Sequence, residues 1–457
     1  MELDIKKYKN IYMVGIGGIS MSGIAEILVK WGYNVSGSDW AKSSQTEWLE
    51  KNGVKVNISQ VAENITKDID LVVYTAAIKE DNPELVKAKE LNIPIVERGM
   101  FLGELTKLFK DTIGIAGTHG KTTTTSMVAC AFLEANLDPS IQVGAVLSNI
   151  DGNYRVGKSD YFIIEACEYC ESYLNFKQRS AIVLNIDDDH LDYFGSIENI
   201  QKSFQKYVSN LPADGFLVIN IDDKRCISLM NHTKATVITV GSGFSANWHY
   251  ENLDFDNDGY PSFDVYHDRE KVQRVKLNVT GVHNVMNSLC CIALCDAYGI
   301  DVKTVAKALA KFNGASRRLE YKGLFNGAKV YDDYGHHPTE IMATVRGIKN
   351  KKFNESWVVF EAHTYSRLVE HLKDFAKALV NFDHIVIMDI YAAREVNTFN
   401  IHEEDLMNEL KKLGKDSVHI SDYDEIVEYL GNNVKNDDII LTLGAGNVTK
   451  IATLLTK

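Results

Sequence analysis

The run Ile113-Gly114-Ile115-Ala116-Gly117-Thr118-His119-Gly120-Lys121-Thr122-Thr123-Thr124-Thr125 leaves few folds open. An apolar stretch enters a loop with three glycines, the loop ends in Gly-Lys-Thr-Thr, and a helical pattern follows through Glu134. Glycines let backbone N–H groups turn inward around phosphate oxygens, and a helix N-terminus adds its positive dipole end. In that order of strand, loop and helix, Lys121 can reach outer phosphates and the Thr122 hydroxyl can hold Mg²⁺. The spacing predicts a nucleoside triphosphate site over Gly117, Thr118, His119, Gly120, Lys121, Thr122 and Thr123. It is not the general G-x-x-x-x-G-K-[ST] pattern, because Ile115 stands where the first glycine is required.

With 457 residues, two to four domains are expected. Hydrophobic residues make up 45% and charged residues 24%, the balance of an ordinary soluble globular protein. The net charge of −13 gives no attraction for nucleic acid or an anionic membrane, so a polyanionic ligand must be held by local basic groups, Mg²⁺ and helix N-termini. No long apolar run and no leader at Met1 are apparent, so neither a membrane partner nor a secretory route is expected. The seven cysteines follow no disulfide framework, which fits a reducing cytoplasm. Cys167-x-x-Cys170 has no second pair to complete a zinc site, and Cys290, Cys291 and Cys295 read as core residues.

Strands and helices alternate along the whole chain, so the expectation is an α/β protein with parallel sheets throughout. The first 110 residues resemble half of a Rossmann domain, with strands at Ile11–Val14, Asn34–Ser38 and Leu71–Thr75. The tight loop Gly15-Ile16-Gly17-Gly18-Ile19-Ser20-Met21-Ser22-Gly23 opens a helix. Ser20 stands where a dinucleotide fingerprint has glycine, so the loop fits a diphosphate on a helix N-terminus, UDP-sugars included, as well as it fits NAD. Residues 247–278 look like a small antiparallel piece. The division expected is 1–110, 111–318 and 319–457.

Further clusters end strands. Glu165 closes Tyr161–Glu165, and Asn185-Ile186-Asp187-Asp188-Asp189-His190-Leu191-Asp192 follows the next apolar run; both suit a cation beside a phosphate loop. Gly281-x-His283-Asn284-x-x-Asn287 could read an adenine edge or simply cap a helix. Tyr331-Asp332-Asp333-Tyr334-Gly335-His336-His337-Pro338-Thr339-Glu340 and Glu361-Ala362-His363-Thr364-Tyr365-Ser366-Arg367 each follow a strand, at the sheet edge where α/β ligand sites form.

Gly-Thr-x-Gly-Lys-Thr-Thr-Thr, the glycine loop at 15–25 and the Tyr331–Glu340 cluster together resemble the Mur ligases, across nearly the whole chain. That resemblance implies a Rossmann-like N-terminal domain, a P-loop ATPase domain and a Rossmann-like C-terminal domain. It implies ATP-dependent joining of L-alanine to the carboxylate of UDP-N-acetylmuramate through an acyl phosphate, in peptidoglycan precursor synthesis, by a cytoplasmic monomer or homodimer. A sister activity, reattaching recycled murein peptide, is the nearest alternative. By position, Thr122, Glu165 and His190 would hold Mg²⁺, Lys121 the β/γ-phosphates, Arg318 other phosphate oxygens, Asn287 the adenine and Asp332 the ribose. Gly15, Gly17, Gly18, Ser20, Ser22 and Asp39 would line the UDP-sugar site. Tyr334, His336, His363 and Arg367 would surround the amino acid, with Lys121, His190, His336 and Arg367 carrying the chemistry. The chain departs from the family at Cys167 and Cys170, at Thr364 and at Glu361. Lys202 and Lys206 are the lysines that follow the His190 loop, where several relatives use a carbamylated lysine.

Overall fold

The computed structural model describes residues 3–75, 77–150, 152–393 and 395–457. The side chain of Asp192, in the acidic cluster, lies outside the described ones. The protein is mixed α/β with three sheets. Its chain divides into two compact units, Met1–His249 with Leu289–Ala308 and Tyr250–Ser288 with Leu309–Lys457.

The first unit holds two sheets. Strands β1 (Asn10–Val14), β2 (Asn34–Ser38), β3 (Lys55–Asn57), β4 (Leu71–Tyr74) and β5 (Ile95–Glu97) form an all-parallel sheet in the order β3-β2-β1-β4-β5. Near-continuous apolar runs such as Ile11–Val14 and Leu71–Val73 are what a sheet covered on both faces requires. The second sheet contains β6 (Asp111–Ala116), β7 (Ser140–Leu147), β8 (Gly152–Arg155), β9 (Tyr161–Glu165), β10 (Ser180–Val183), β11 (Phe216–Asn220) and β12 (Thr236–Val240), in the order β12-β11-β10-β6-β9-β7-β8. Here β6, carrying the phosphate loop, lies between β9 and β10 and is buried along its whole length.

The chain leaves this unit along β13 (Trp248–Phe255). In the second unit β14 (Pro261–His267) and β15 (Glu270–Lys276) make an antiparallel hairpin, as the alternation over 247–278 predicts. The third sheet joins β16 (Glu320–Phe325), β17 (Ala328–Asp333), β18 (Ser356–Phe360), β19 (His384–Ile387), β20 (Val418–His419) and β21 (Ile439–Leu443) in the order β16-β17-β21-β18-β19-β20. Parallel pairing does not hold throughout. β7 with β8, β14 with β15 and β16 with β17 are antiparallel, because each pair is joined by a short turn that leaves no room for a crossover helix. Among the described residues no helix is long and apolar enough to cross a membrane.

Within the first unit the two sheets interlock through the helix Ile19–Lys30. Its Gly23 lies against the Tyr154 ring on β8, where an added Cβ would collide with the ring. Gly23→Val should therefore cost about 1–3 kcal/mol by overpacking, read as a lower urea midpoint with an unchanged m-value. An unchanged midpoint would mean that this contact is not a fixed part of the fold.

Candidate active site

Three loops leave one edge of the central sheet side by side. Ile115 of β6 pairs with Glu165 of β9, and Ala116 of β6 pairs with Val183 of β10, so the phosphate loop, the segment after Glu165 and the Asn185–His190 loop are neighbours. Gly117 (φ +137°) and Gly120 (φ +86°) take backbone conformations closed to most side chains. Gly120 caps the helix Lys121–Glu134 with no side chain of its own, leaving the first-turn N–H groups without a side-chain cap. Thr122 and Thr123 sit buried in that first turn.

The acidic loop is stapled to the phosphate loop. Asn185 accepts from the His119 N–H (2.8 Å) and donates back to the His119 carbonyl (3.0 Å). The Thr118 hydroxyl accepts from the Asp187 N–H (2.9 Å), and the Thr118 N–H donates to the Asn185 carbonyl (3.1 Å). The His119 ring stands 3.1 Å from the Asp187 carboxylate. His190, in the left-handed region at φ +57°, carries its ring to 4.7 Å from that of Tyr169, so the acidic loop also meets the segment after Glu165.

Lys121 is folded back on its own loop. Its ammonium donates to the Gly117 carbonyl (2.6 Å), the Thr118 carbonyl (2.9 Å) and the Glu168 carboxylate. Burial alone would depress its pKa, but the negative charge of Glu168 overrides that and raises it, so Lys121 stays charged. Burial and the Glu168 charge push the Cys167 thiol up to about 11. Cys170 is exposed, and the other five cysteines are buried and free. Lys202 and Lys206 lie on the exposed side of the helix Ile197–Ser209, and Lys206 pairs with Glu171 in the segment after Glu165.

The glycine loop at the first sheet is braced by Asp39, whose carboxylate accepts from the Gly17 N–H (2.9 Å) and the Trp40 N–H (2.8 Å). Gly15 has φ +80°, and Gly18 precedes the first helical residue. Ser22 is buried and its hydroxyl donates to the Ile19 carbonyl. Ser20 projects the other way: its hydroxyl oxygen accepts from Gln142 on β7 (2.9 Å) and from Arg98 (3.3 Å). These three line a small cleft of about 100 Å³ that reaches Gly144, Glu165 and Cys167. Gln142 is buried with its Oε1 unpartnered. A Cβ at Gly144 would strike the Glu165 carboxylate, so a side chain there must push that carboxylate from its place. Arg98 and Gln142 are cleft residues that sequence reasoning missed; each sits singly in an unremarkable stretch, and only the fold brings them to Ser20.

In the second unit the Tyr334–Glu340 loop and the His363–Arg367 loop converge. The His336 N–H donates to Glu340 (3.1 Å), and its ring lies 5.6 Å from that of His363. Arg367 donates to His363 Nδ1 (3.2 Å). Tyr391 stacks on His363 at 5.5 Å, and Glu395 accepts from the Ser366 N–H (2.9 Å); both come from a loop that carried no motif. Arg318 reaches Glu340 at 3.5 Å and lies over the Tyr334 ring. Asp332 is fully buried and accepts from Thr442 (2.6 Å) and Thr449 (2.7 Å), with Arg317 Nε at 3.3 Å, so a ribose contact there requires one of these bonds to open. Asn287 donates to Asn284 (3.0 Å), which in turn donates to the Thr280 carbonyl (2.8 Å), so both amides help order the helix start. Glu361 accepts from the Val448 N–H (3.1 Å), which accounts for a carboxylate at that position.

Three family models match successive parts of the chain: the Mur ligase family catalytic domain over residues 10–110, the Mur ligase middle domain over 115–295 and the glutamate ligase domain over 317–446. The chain belongs to the Mur ligase family. It is 44% identical over 456 residues to the UDP-N-acetylmuramate–L-alanine ligase of Acetivibrio thermocellus, covering 100% of this chain and 97% of the relative. To the ligase of the same name from Clostridium kluyveri it is 45% identical over 454 residues, 99% of each. Among solved structures it is similar to the UDP-N-acetylmuramate-alanine ligase of Thermotoga maritima, with a TM-score of 0.84 and 29% identity over 98% of both chains. The murein peptide ligase of Psychrobacter arcticus shares the fold at a TM-score of 0.73 and 24% identity, again over 98% of both.

Asp333 accepts from the Leu319 N–H and the Gly335 N–H, both at 2.7 Å, and so ties the start of β16 to the His336 loop. Burial pushes its carboxyl up to about 6, with Arg318 pulling the other way. A raised carboxyl is protonated in the folded chain while already ionised in the unfolded one, so its contribution to stability is full at low pH and is lost as pH rises through about 6. Urea unfolding of Asp333→Asn should lack the decline between pH 4 and pH 6 that wild type shows relative to it; parallel pH profiles would show that Asp333 titrates normally.

Proposed function

We propose that this protein joins L-alanine to the carboxylate of UDP-N-acetylmuramate at the expense of ATP, giving UDP-N-acetylmuramoyl-L-alanine, ADP and phosphate, in the cytoplasm. The observation that supports the reading most is the cleft running from Ser20, Arg98 and Gln142 to Glu165, whose strand pairs with the strand that leads into the phosphate loop. The relatives that are 44–45% identical over nearly their full length support L-alanine over a murein peptide as the amine.

A carboxylate is a poor electrophile, and ATP supplies its activation. A carboxylate oxygen attacks the γ-phosphorus and ADP leaves; the amine nitrogen then attacks the acyl carbon and phosphate leaves with that oxygen. Arg98 and Ser20 would orient the carboxylate, and Lys121 would neutralise charge gathering on the phosphates. His336, beside Glu340, would take the proton lost by the ammonium before attack, and Arg367 with His363 would hold the amino-acid carboxylate.

The residues fit Mg²⁺ by their chemistry: the Thr122 hydroxyl and the Glu165 carboxylate are hard oxygen donors, His190 offers a nitrogen donor, and Gly144 leaves the carboxylate its space. When bound, Mg²⁺ would screen the triphosphate charge. Adenine against Asn287, ribose near Asp332, phosphate at Arg318 and the UDP-sugar along Gly15, Gly17, Gly18, Ser22 and Asp39 complete the proposal, with one or two copies of the chain as the working assembly.

Phosphate release from Mg-ATP should require UDP-N-acetylmuramate and L-alanine together, and the sugar nucleotide should gain one alanyl residue by mass. Release with a murein tripeptide but not with L-alanine would move the assignment to the recycling activity. Gly144→Ala should reduce turnover by roughly a hundredfold or more, the scale of losing one preorganised charge contact, with UDP binding retained. Turnover close to wild type would remove Glu165 from the site.

A further inference from the structure

An ammonium has three donors, and in this structure all three of Lys121's are taken: by the Gly117 carbonyl, the Thr118 carbonyl and Glu168. The first two acceptors belong to the phosphate loop itself. The third does not. Glu168 comes from the segment after β9, and its carboxylate, 3% exposed, lies 2.9 Å from the ammonium. The backbone just beyond it turns through two left-handed residues, Cys170 and Glu171, both at φ +52°, and the Ser172 hydroxyl ties back to the Cys167 carbonyl. This is a strained way to leave a strand, and it fixes the carboxylate over the loop. The group that a phosphate loop offers to an incoming anion is thus already holding an anion supplied by the protein.

We propose that Glu168 is a positioning residue that occupies Lys121 in place of a phosphate until nucleotide arrives. Binding then exchanges one carboxylate for phosphate oxygens on the same ammonium, and the reverse exchange helps ADP and phosphate leave after turnover. Glu168 therefore weakens ground-state nucleotide binding and speeds product release. A residue that merely supported the loop would do the opposite to affinity, because removing it would loosen the site. The inference rests on the reading of this loop as a Mg-ATP site.

The experiment is calorimetric titration of the full chain with Mg-ATP alone, with no sugar nucleotide or amine, for wild type, Glu168→Gln and Glu168→Asp. Glu168→Gln keeps the shape and drops the charge, so it should bind Mg-ATP roughly tenfold more tightly, the scale of one charge-assisted hydrogen bond. Glu168→Asp keeps the charge at a shorter reach and should fall between the two. Titration with UDP should give the same affinity for all three and reports that the fold is intact. In steady state, Glu168→Gln should show a lower KM for ATP together with a lower kcat, the pattern of slowed release. Weaker or unchanged Mg-ATP binding by either variant with UDP binding intact would overturn the exchange. If Glu168→Gln fails to fold, the Glu168→Asp result decides alone. Absence of Mg-ATP binding by wild type would overturn the nucleotide reading itself, which keeps the two failures apart.

Discussion

The staple between Thr118–His119 and Asn185–Asp187 is the constraint on which the rest of the site depends. Phosphate loops need backbone N–H groups pointing inward, and a glycine-rich loop left to itself has no reason to keep them there. Here the Asn185 side-chain amide takes up the N–H and the carbonyl of His119, and the Asn185 backbone carbonyl accepts from the Thr118 N–H. The same bonds set where the acidic loop runs, and so where His190 stands relative to Glu165. Parallel pairing of β9, β6 and β10 makes this possible, because only then do the three loops leave from one edge.

Charge explains much of the remaining design. The chain is acidic overall, with a net charge of −13, yet its proposed substrates are anions. The cations that matter are few, and several are held by carboxylates: Lys121 by Glu168, Arg318 by Glu340, Arg317 by Asp332. Each pair keeps a positive group in place at the cost of pre-occupying it. Arg98 is different, since its contact to Ser20 is to a hydroxyl, and it faces a cleft with an unpartnered amide oxygen nearby.

The parts of the fold legible in the sequence were those with a strong period or a fixed motif. The phosphate loop, its helix to Glu134 and the strands Asn34–Ser38 and Phe216–Asn220 are read directly from apolar runs flanked by glycine or acidic residues. Short or edge strands such as Lys55–Asn57, Ile95–Glu97 and Gly152–Arg155 were not, because a three- or four-residue strand with polar positions has no distinguishing pattern. Among site residues, those in motifs could be named by position. Arg98, Gln142, Tyr391 and Glu395 could not, since they reach the site only by packing. Asp332 shows the limit from the other side: its position in the motif suggests ribose, and its bonds to Thr442 and Thr449 are visible only in the fold.

The central claim is that a sugar carboxylate is activated by phosphate transfer before the amine attacks. The most direct measurement uses UDP-N-acetylmuramate labelled with ¹⁸O in both carboxylate oxygens, Mg-ATP and L-alanine, followed by mass spectrometry of the released phosphate. The account predicts one ¹⁸O in the phosphate and one retained in the new amide. Phosphate free of label, with product formed, would contradict it.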